Sequence, residues 1–275
     1  MAAGMPKSRQ SNRLSREFMF QMAGLLLIVL LVHASYVGIV RPLAQEQMVA
    51  EQIALSENPE ATQERSVWII LRDPEQEICI ILLLWALLIM GGKLRNVYFE
   101  RQQLQRDLIS VIEGQSILVE DARDYARAIE ALEPAARESL YARALHSALR
   151  RFQATHNLQN VSEAVDSVCT AEHERMDSEL AMVRYIAWAI PSIGFIGTVR
   201  GIGGALALAH QAVEGNITGV TASLGTAFNS TLVALLLSIV VMFALYQLQQ
   251  LQERLVLDTQ TACDRDLIQH MKVRV

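Results

Sequence analysis

The sequence predicts an all-α membrane protein with four transmembrane helices and a helical domain inserted between the second and the third. Three observations predict it: a chain of 275 residues that is 52% apolar and only 19% charged, long runs almost free of charge, and helix-period spacing in the polar stretches between them. The apolar content excludes intrinsic disorder. With a net charge of -5 there is no global basic surface, the usual nucleic-acid signatures are missing, and no nucleic-acid partner is expected. Cys79, Cys169 and Cys263 lie far apart without a CxxC pair and read as small core residues.

Residues 1–17 form a basic tail with Lys7, Arg9, Arg13 and Arg16. Residues 18–40 make the first span, roughly 34 Å long at ~1.5 Å per residue against a hydrocarbon core of ~30 Å. A cleaved leader is the rival reading, because the basic tail and the small residues near Ala34 resemble one. The apolar run continues through Val40, past the ~7 to 15 residues of a leader, and favours a span. Residues 41–77 are an acid-rich outer loop. Residues 78–92 are a second, short span that gains length if Glu77 and Lys93 snorkel.

Residues 93–184 are rich in Ala, Leu, Glu and Arg, with apolar side chains at spacings of three and four and Pro134 at a helix start. They predict a helical hairpin. Residues 185–209 form the third span, 210–222 a short loop without Lys or Arg, 223–246 the fourth span, and 247–275 a helical tail. The helices entering the third span and leaving the fourth are expected to pack together.

Lys and Arg near span ends set orientation. The N-terminal tail, the stretch with Lys93, Arg95, Arg101 and Arg106, and Arg184 therefore face the cytoplasm, while the loops 41–77 and 210–222 face out. Both termini are cytoplasmic on this reading, and so is the helical domain 93–184.

In the third span, Gly194, Gly197, Gly201 and Gly204 recur on one helical face, a stripe that lets another helix approach closely. The run has neither the Lys-Ser/Thr of a phosphate-binding loop nor a preceding strand. Thr198 sits beside the stripe, and the fourth span opens with Ser223, Thr226, Ser230 and Thr231. Hydroxyls in spans often bond back to the carbonyl four residues earlier, yet their clustering in two adjacent spans would also wet a narrow track. Hydroxyls do not titrate near neutrality, and neither span contains Asp or Glu, so a carboxylate able to carry a proton is expected from a partner.

Arg200 is the single charge well inside a span. Roughly 24 Å along the helix from Arg184, it falls in the outer half, where snorkelling or a subunit contact is the favoured reading over a place in an ion path. Cys169 and His173 could offer two metal ligands but not four, and no metal site is expected. His33 and His210 read as packed or span-end residues, His33 with a proton-linked role as the rival. No catalytic constellation is visible, so an enzyme is not expected.

The third and fourth spans resemble the MotA/TolQ/ExbB proton channel family. The pattern P-x-x-G-x-x-G-T-V-x-G is matched by Pro191, Gly194, Gly197, Thr198, Val199 and Gly201, and the likeness covers residues 179–251. Two extra N-terminal spans before a helical domain look more like the flagellar stator subunit than like the three-span members. The resemblance implies a homopentameric ring in the bacterial inner membrane whose third and fourth helices line a pore around a dimeric partner. That partner would be a single-span protein of the ExbD, TolR or MotB kind, bearing an essential aspartate. It further implies Thr198 and Thr231 as pore-lining threonines near the partner's carboxylate, and coupling of an ion gradient to mechanical work or energy transduction; Thr226 and Ser230, four apart on one helical face, join the candidate polar track by their spacing alone. No cofactor is expected; the transported ion would be H+ or Na+, with H+ favoured. This chain departs from the pattern at Thr226, where three-span members commonly have a glutamate, and at Arg200, which replaces an apolar or aromatic residue. A non-conducting scaffold that recruits partners through its cytoplasmic helices is the alternative.

Overall fold

The computed structural model describes residues 7–57, 66–106, 108–109 and 116–272; the expected tail at 1–6 and part of the expected loop, 58–65, lie outside the described residues. Among the described residues the chain is helical, and its only strand-like feature is an isolated parallel bridge between Ile117 and Met271. Four helices are long and apolar enough to cross a membrane, which makes this a multi-pass membrane protein. The chain divides into two compact units: Met1–Met90 with Met182–Leu245, and Gly91–Ala181 with Tyr246–Val275.

The first unit begins with α1 (Lys7–Ser35), which passes through a π-helical segment, Tyr36–Val40, into α2 (Arg41–Glu57). Arg41 donates its backbone N–H to the Tyr36 carbonyl five residues back, and Pro42 then removes the next ladder donor, a sequence reason for the local widening. A short α3 (Val67–Ile70) is capped by Ser66, whose hydroxyl accepts from the Trp68 N–H. The expected outer loop 41–77 is thus helical over much of its described length.

α4 (Pro74–Leu104) begins before residue 78 and runs well past residue 92, the limits expected for the second span. Its start follows from local chemistry: Pro74 presets the first helical φ, and Glu75 and Glu77 in the first turn meet the positive end of the helix dipole. A hydropathy reading cuts the helix short because it stops at these charges. α9 (Ala181–Ala207) carries Pro191 inside it, α10 (Ala209–Val213) is a single turn, and α11 (Thr218–Asp266) continues through the fourth span into the tail. Large apolar side chains on α9 and α11, among them Phe195, Leu206, Ile239 and Phe243, stand exposed, a surface suited to lipid or to neighbouring apolar helices.

The second unit holds a conventional apolar core. It contains α5 (Ala122–Glu130), α6 (Pro134–Arg137), α7 (Leu140–Thr155) and α8 (Leu158–Glu179). Pro134 occupies the first turn of α6, and Ser139 caps α7 by accepting from the Ala142 N–H. His156, in the left-handed region at φ 51°, ends α7, and Asn157 at once caps α8 through the N–H groups of Gln159 and Asn160. Leu140, Leu145, Leu149 and Phe152 of α7 are sealed from solvent, as are Val161 and Cys169 of α8, which packs against α7. Gln260 of α11 donates to Asp166 of α8 at 3.0 Å, so the expected contact between the two extensions is present. Cys169 is buried, which pushes its thiol up to about 11, while His173 is exposed.

Candidate functional site

The glycine stripe of α9 lies directly against α11. A β-carbon at Gly201 would sit 2.7 Å from both the Ala227 amide nitrogen and the Ser223 carbonyl oxygen, backbone that cannot yield. At Gly194 it would overlap Ala234, at Gly197 Ser230, and at Gly204 it would come 3.3 Å from the Ser223 hydroxyl. The whole predicted stripe therefore forms one seam, while Gly203, outside it, faces open space.

Within the seam, the Thr198 and Thr231 hydroxyls hydrogen-bond each other. Each also reaches the same two carbonyls: Thr198 to Gly194 at 3.3 Å and Ala227 at 3.2 Å, Thr231 to both at 3.3 Å. A hydroxyl has one proton to donate, so the pair has several exchangeable arrangements without moving the backbone. Residues 33 positions apart are thus joined on one polar spot. Thr226 stands a turn away on α11, and among the described residues no side-chain hydrogen bond ties it to the pair. Its carbonyl accepts from the Ser230 hydroxyl at 2.9 Å. Ser230 itself is 1% exposed and wedged against Gly197, so it contributes to the seam rather than to an open surface.

Pro191 has no N–H to give the Ala187 carbonyl four residues back, and the Ser238 hydroxyl of α11 donates to that carbonyl at 3.3 Å instead. The proline of the motif thus has its lost bond repaired by the partner helix. Sequence reading missed Ser238; the signal was a hydroxyl in the span opposite an interior proline.

Residues 136–261 match the MotA/TolQ/ExbB proton channel family. The family match extends beyond residues 179–251, taking in α7, α8 and most of α11 as well as the seam. Comparison with curated proteins gives no match. The matched segment contains Thr198, Thr231, the glycine stripe and Arg200, but not α1 to α4.

Arg200 is not an isolated cation. Its Nε lies 2.7 Å from Glu75 Oε1 and its Nη2 donates to Glu75 Oε2 at 2.8 Å, with Asp73 Oδ1 at 3.5 Å. The charge contact expected of Arg200 is, within this chain, an ion pair with Glu75 and Asp73. Carboxylates of this chain also reach the third span, since Glu75 lies against Gly197. Both were missed because the acids belong to the start of another helix; the Asp73-Pro74-Glu75 helix-start signal was there to find them. On the opposite side of the same turn, Glu77 accepts from Arg41 at 2.8 Å and lies 2.7 Å from His33 Nδ1, so His33 has a carboxylate partner.

Proposed function

We propose that the protein is a non-enzymatic ion-channel subunit of a gradient-driven complex in the bacterial inner membrane. Five copies form a ring whose α9 and α11 helices surround a dimer of a single-span partner, and the partner's aspartate holds the ion, H+ before Na+. The carrying observation is the Thr198–Thr231 hydroxyl pair, set on a glycine-tight seam inside a segment that matches a proton channel family. Two exchangeable hydroxyls can pass a proton or coordinate a cation but cannot store charge, so a titrating partner group completes the relay. Basic residues at the inner span ends support cytoplasmic termini and a cytoplasmic second unit.

The energy source is sufficient without a cofactor. Each elementary charge crossing the membrane yields about 2.3 kcal/mol per 100 mV, several times thermal energy. The extra N-terminal spans and the long helical unit resemble the layout of the flagellar stator subunit, and that resemblance supports a coupling to rotation or force.

Ion flux through the complex in liposomes tests this reading. Thr198→Val and Thr231→Val keep the shape of the seam but remove the hydroxyls, and each is expected to abolish partner-dependent flux while the complex still assembles. Full flux in both variants would overturn the threonine-lined path, and a wild-type complex that conducts nothing would favour the scaffold.

A further inference from the structure

The chain passes into or out of the second unit at three points, and the helices there are not equally stiff. α4 enters at Gly91, α9 leaves from Ala181, and α11 enters at Tyr246. α11 is unbroken from Thr218 to Asp266 and has neither glycine nor proline after Gly225. The other two are weakened where they cross. Gly91 and Gly92 stand side by side inside the 31-residue α4. A β-carbon at either would meet nothing within 4 Å, in contrast to Gly194, Gly197 and Gly201, where neighbouring atoms leave no room. Packing within the chain therefore does not call for these two glycines, yet each weakens a helix interior relative to alanine.

The second weak point is the junction of α8 and α9. α8 ends at Glu179, α9 begins at Ala181, and Leu180 between them has ψ -3°. Its N–H bonds to the Asp177 carbonyl three residues back at 3.1 Å, a turn tighter than the α ladder and of the kind that marks hinges inside long helices. Beside both weak points a clamp joins the two helices. Lys93, just after the glycines and only 8% exposed, donates from Nζ to Glu179 Oε2 at 2.7 Å. Arg175, one turn earlier on α8, donates to the other oxygen of Glu179 at 3.2 Å and so sets the direction of the carboxylate. Arg175 lies on the same helix as Glu179, so the link across to α4 is made by Lys93.

We propose that Gly91-Gly92 and the turn at Leu180 form a two-point hinge, clamped by Lys93 and Glu179, on which α4 and α8 swing together while α11 stays straight. The hinge does not depend on ion conduction. It lets the helices of the second unit move while the contact of α9 with α11 stays closed, because that seam starts at Gly194, well along α9 from Leu180. The clamp makes the two weak points act as one: bending α4 at its glycines carries Glu179, and with it the end of α8, in the same direction.

The test is hydrogen exchange, followed by mass spectrometry, on the full chain in lipid nanodiscs. Arg101 of α4 lies 3.7 Å from Asp258 of α11, so residues 93–97 stand level with 250–254 on two neighbouring helices. The amides of 93–97 bond back across the glycines, and their protection is expected to be about tenfold lower than that of 250–254. The double variant Gly91→Ala/Gly92→Ala should raise protection of 93–97 about tenfold and leave 250–254 unchanged. Lys93→Met keeps the apolar stem, removes the link to Glu179, and should lower protection at 179–183. Equal protection of 93–97 and 250–254 in the wild type, or an alanine variant that exchanges like wild type, would overturn the hinge, and unchanged exchange at 179–183 in K93M would overturn the clamp. An alanine variant with an altered oligomeric mass would also overturn the proposal, since the glycines would then be a contact surface for a second copy of the chain. If K93M does not fold, the alanine variant alone decides.

Discussion

In the α7–α8 pair, large side chains such as Leu145, Leu149 and Phe152 fill the space between the helices, and the pair is closed by burying them. In the α9–α11 pair the space is removed instead: Gly194, Gly197 and Gly201 leave no room for a β-carbon, and hydroxyls bond to carbonyls across the contact. The large side chains of those helices, Phe195 and Phe243 among them, point outward. Water drives the first arrangement, since apolar area is worth about 25 cal/mol per Å² when taken out of water. Lipid supplies no such drive between helices, so close backbone approach and hydrogen bonds must hold the second. The polar seam is therefore the glue of the membrane unit.

The comparison is broken most severely by Phe152→Ala. A fully buried phenylalanine of the second unit is removed, and unfolding stability should fall by about 3–5 kcal/mol. Urea unfolding of the purified chain followed by circular dichroism checks it, and a loss under about 1 kcal/mol would contradict a core held by burial. Gly201→Ala makes the converse change, adding one methyl group where Ala227 and Ser223 backbone atoms stand 2.7 Å away. A loss of about 1–3 kcal/mol is expected in detergent melting, and Gly203→Ala, with nothing within 4 Å, should melt with wild type. Equal behaviour of the two alanine variants would remove the seam from the account.

The smallest effect is a pH trend in the second unit. Burial holds the Glu100 carboxyl above its ordinary range, against the lowering pull of the Leu140 N–H, which it accepts at 2.8 Å, and of Arg143. The folded state then binds this proton more tightly than the unfolded chain. Its contribution to stability is complete below the unfolded pKa and is lost as pH rises through the folded one. Glu100→Gln keeps an acceptor for Leu140 and does not titrate. Wild type should therefore lose ground to E100Q as pH rises above the ordinary glutamate range of about 4.3, and parallel melting profiles would refute this.

Much of the membrane unit was legible because its signals are periodic. The glycine stripe, Pro191 and the Thr198/Thr231 pair could be placed on facing helices from spacing and family likeness, and the structure joins them. The charges were harder to read. Hydropathy treats Asp73, Glu75 and Glu77 as the end of a loop, whereas folding buries Asp73 just before α4 and Glu75 and Glu77 in its first turn, with Glu75 facing α9 and Glu77 facing His33 and Arg41. Arg200 looked unpaired because its partner is 125 residues away in sequence. Ser238 and Ser230 show the same limit, since a hydroxyl in a span reads alike whether it repairs a proline break, fills a seam or lines a path.

The central claim, a ring of this chain around a carboxylate-bearing partner, is tested most directly by native mass spectrometry of the complex released from mild detergent, with and without the single-span partner co-expressed. The account predicts five copies of this chain, taking up two copies of the partner when it is present. A monomer or dimer in several detergents, unchanged by the partner, would contradict it.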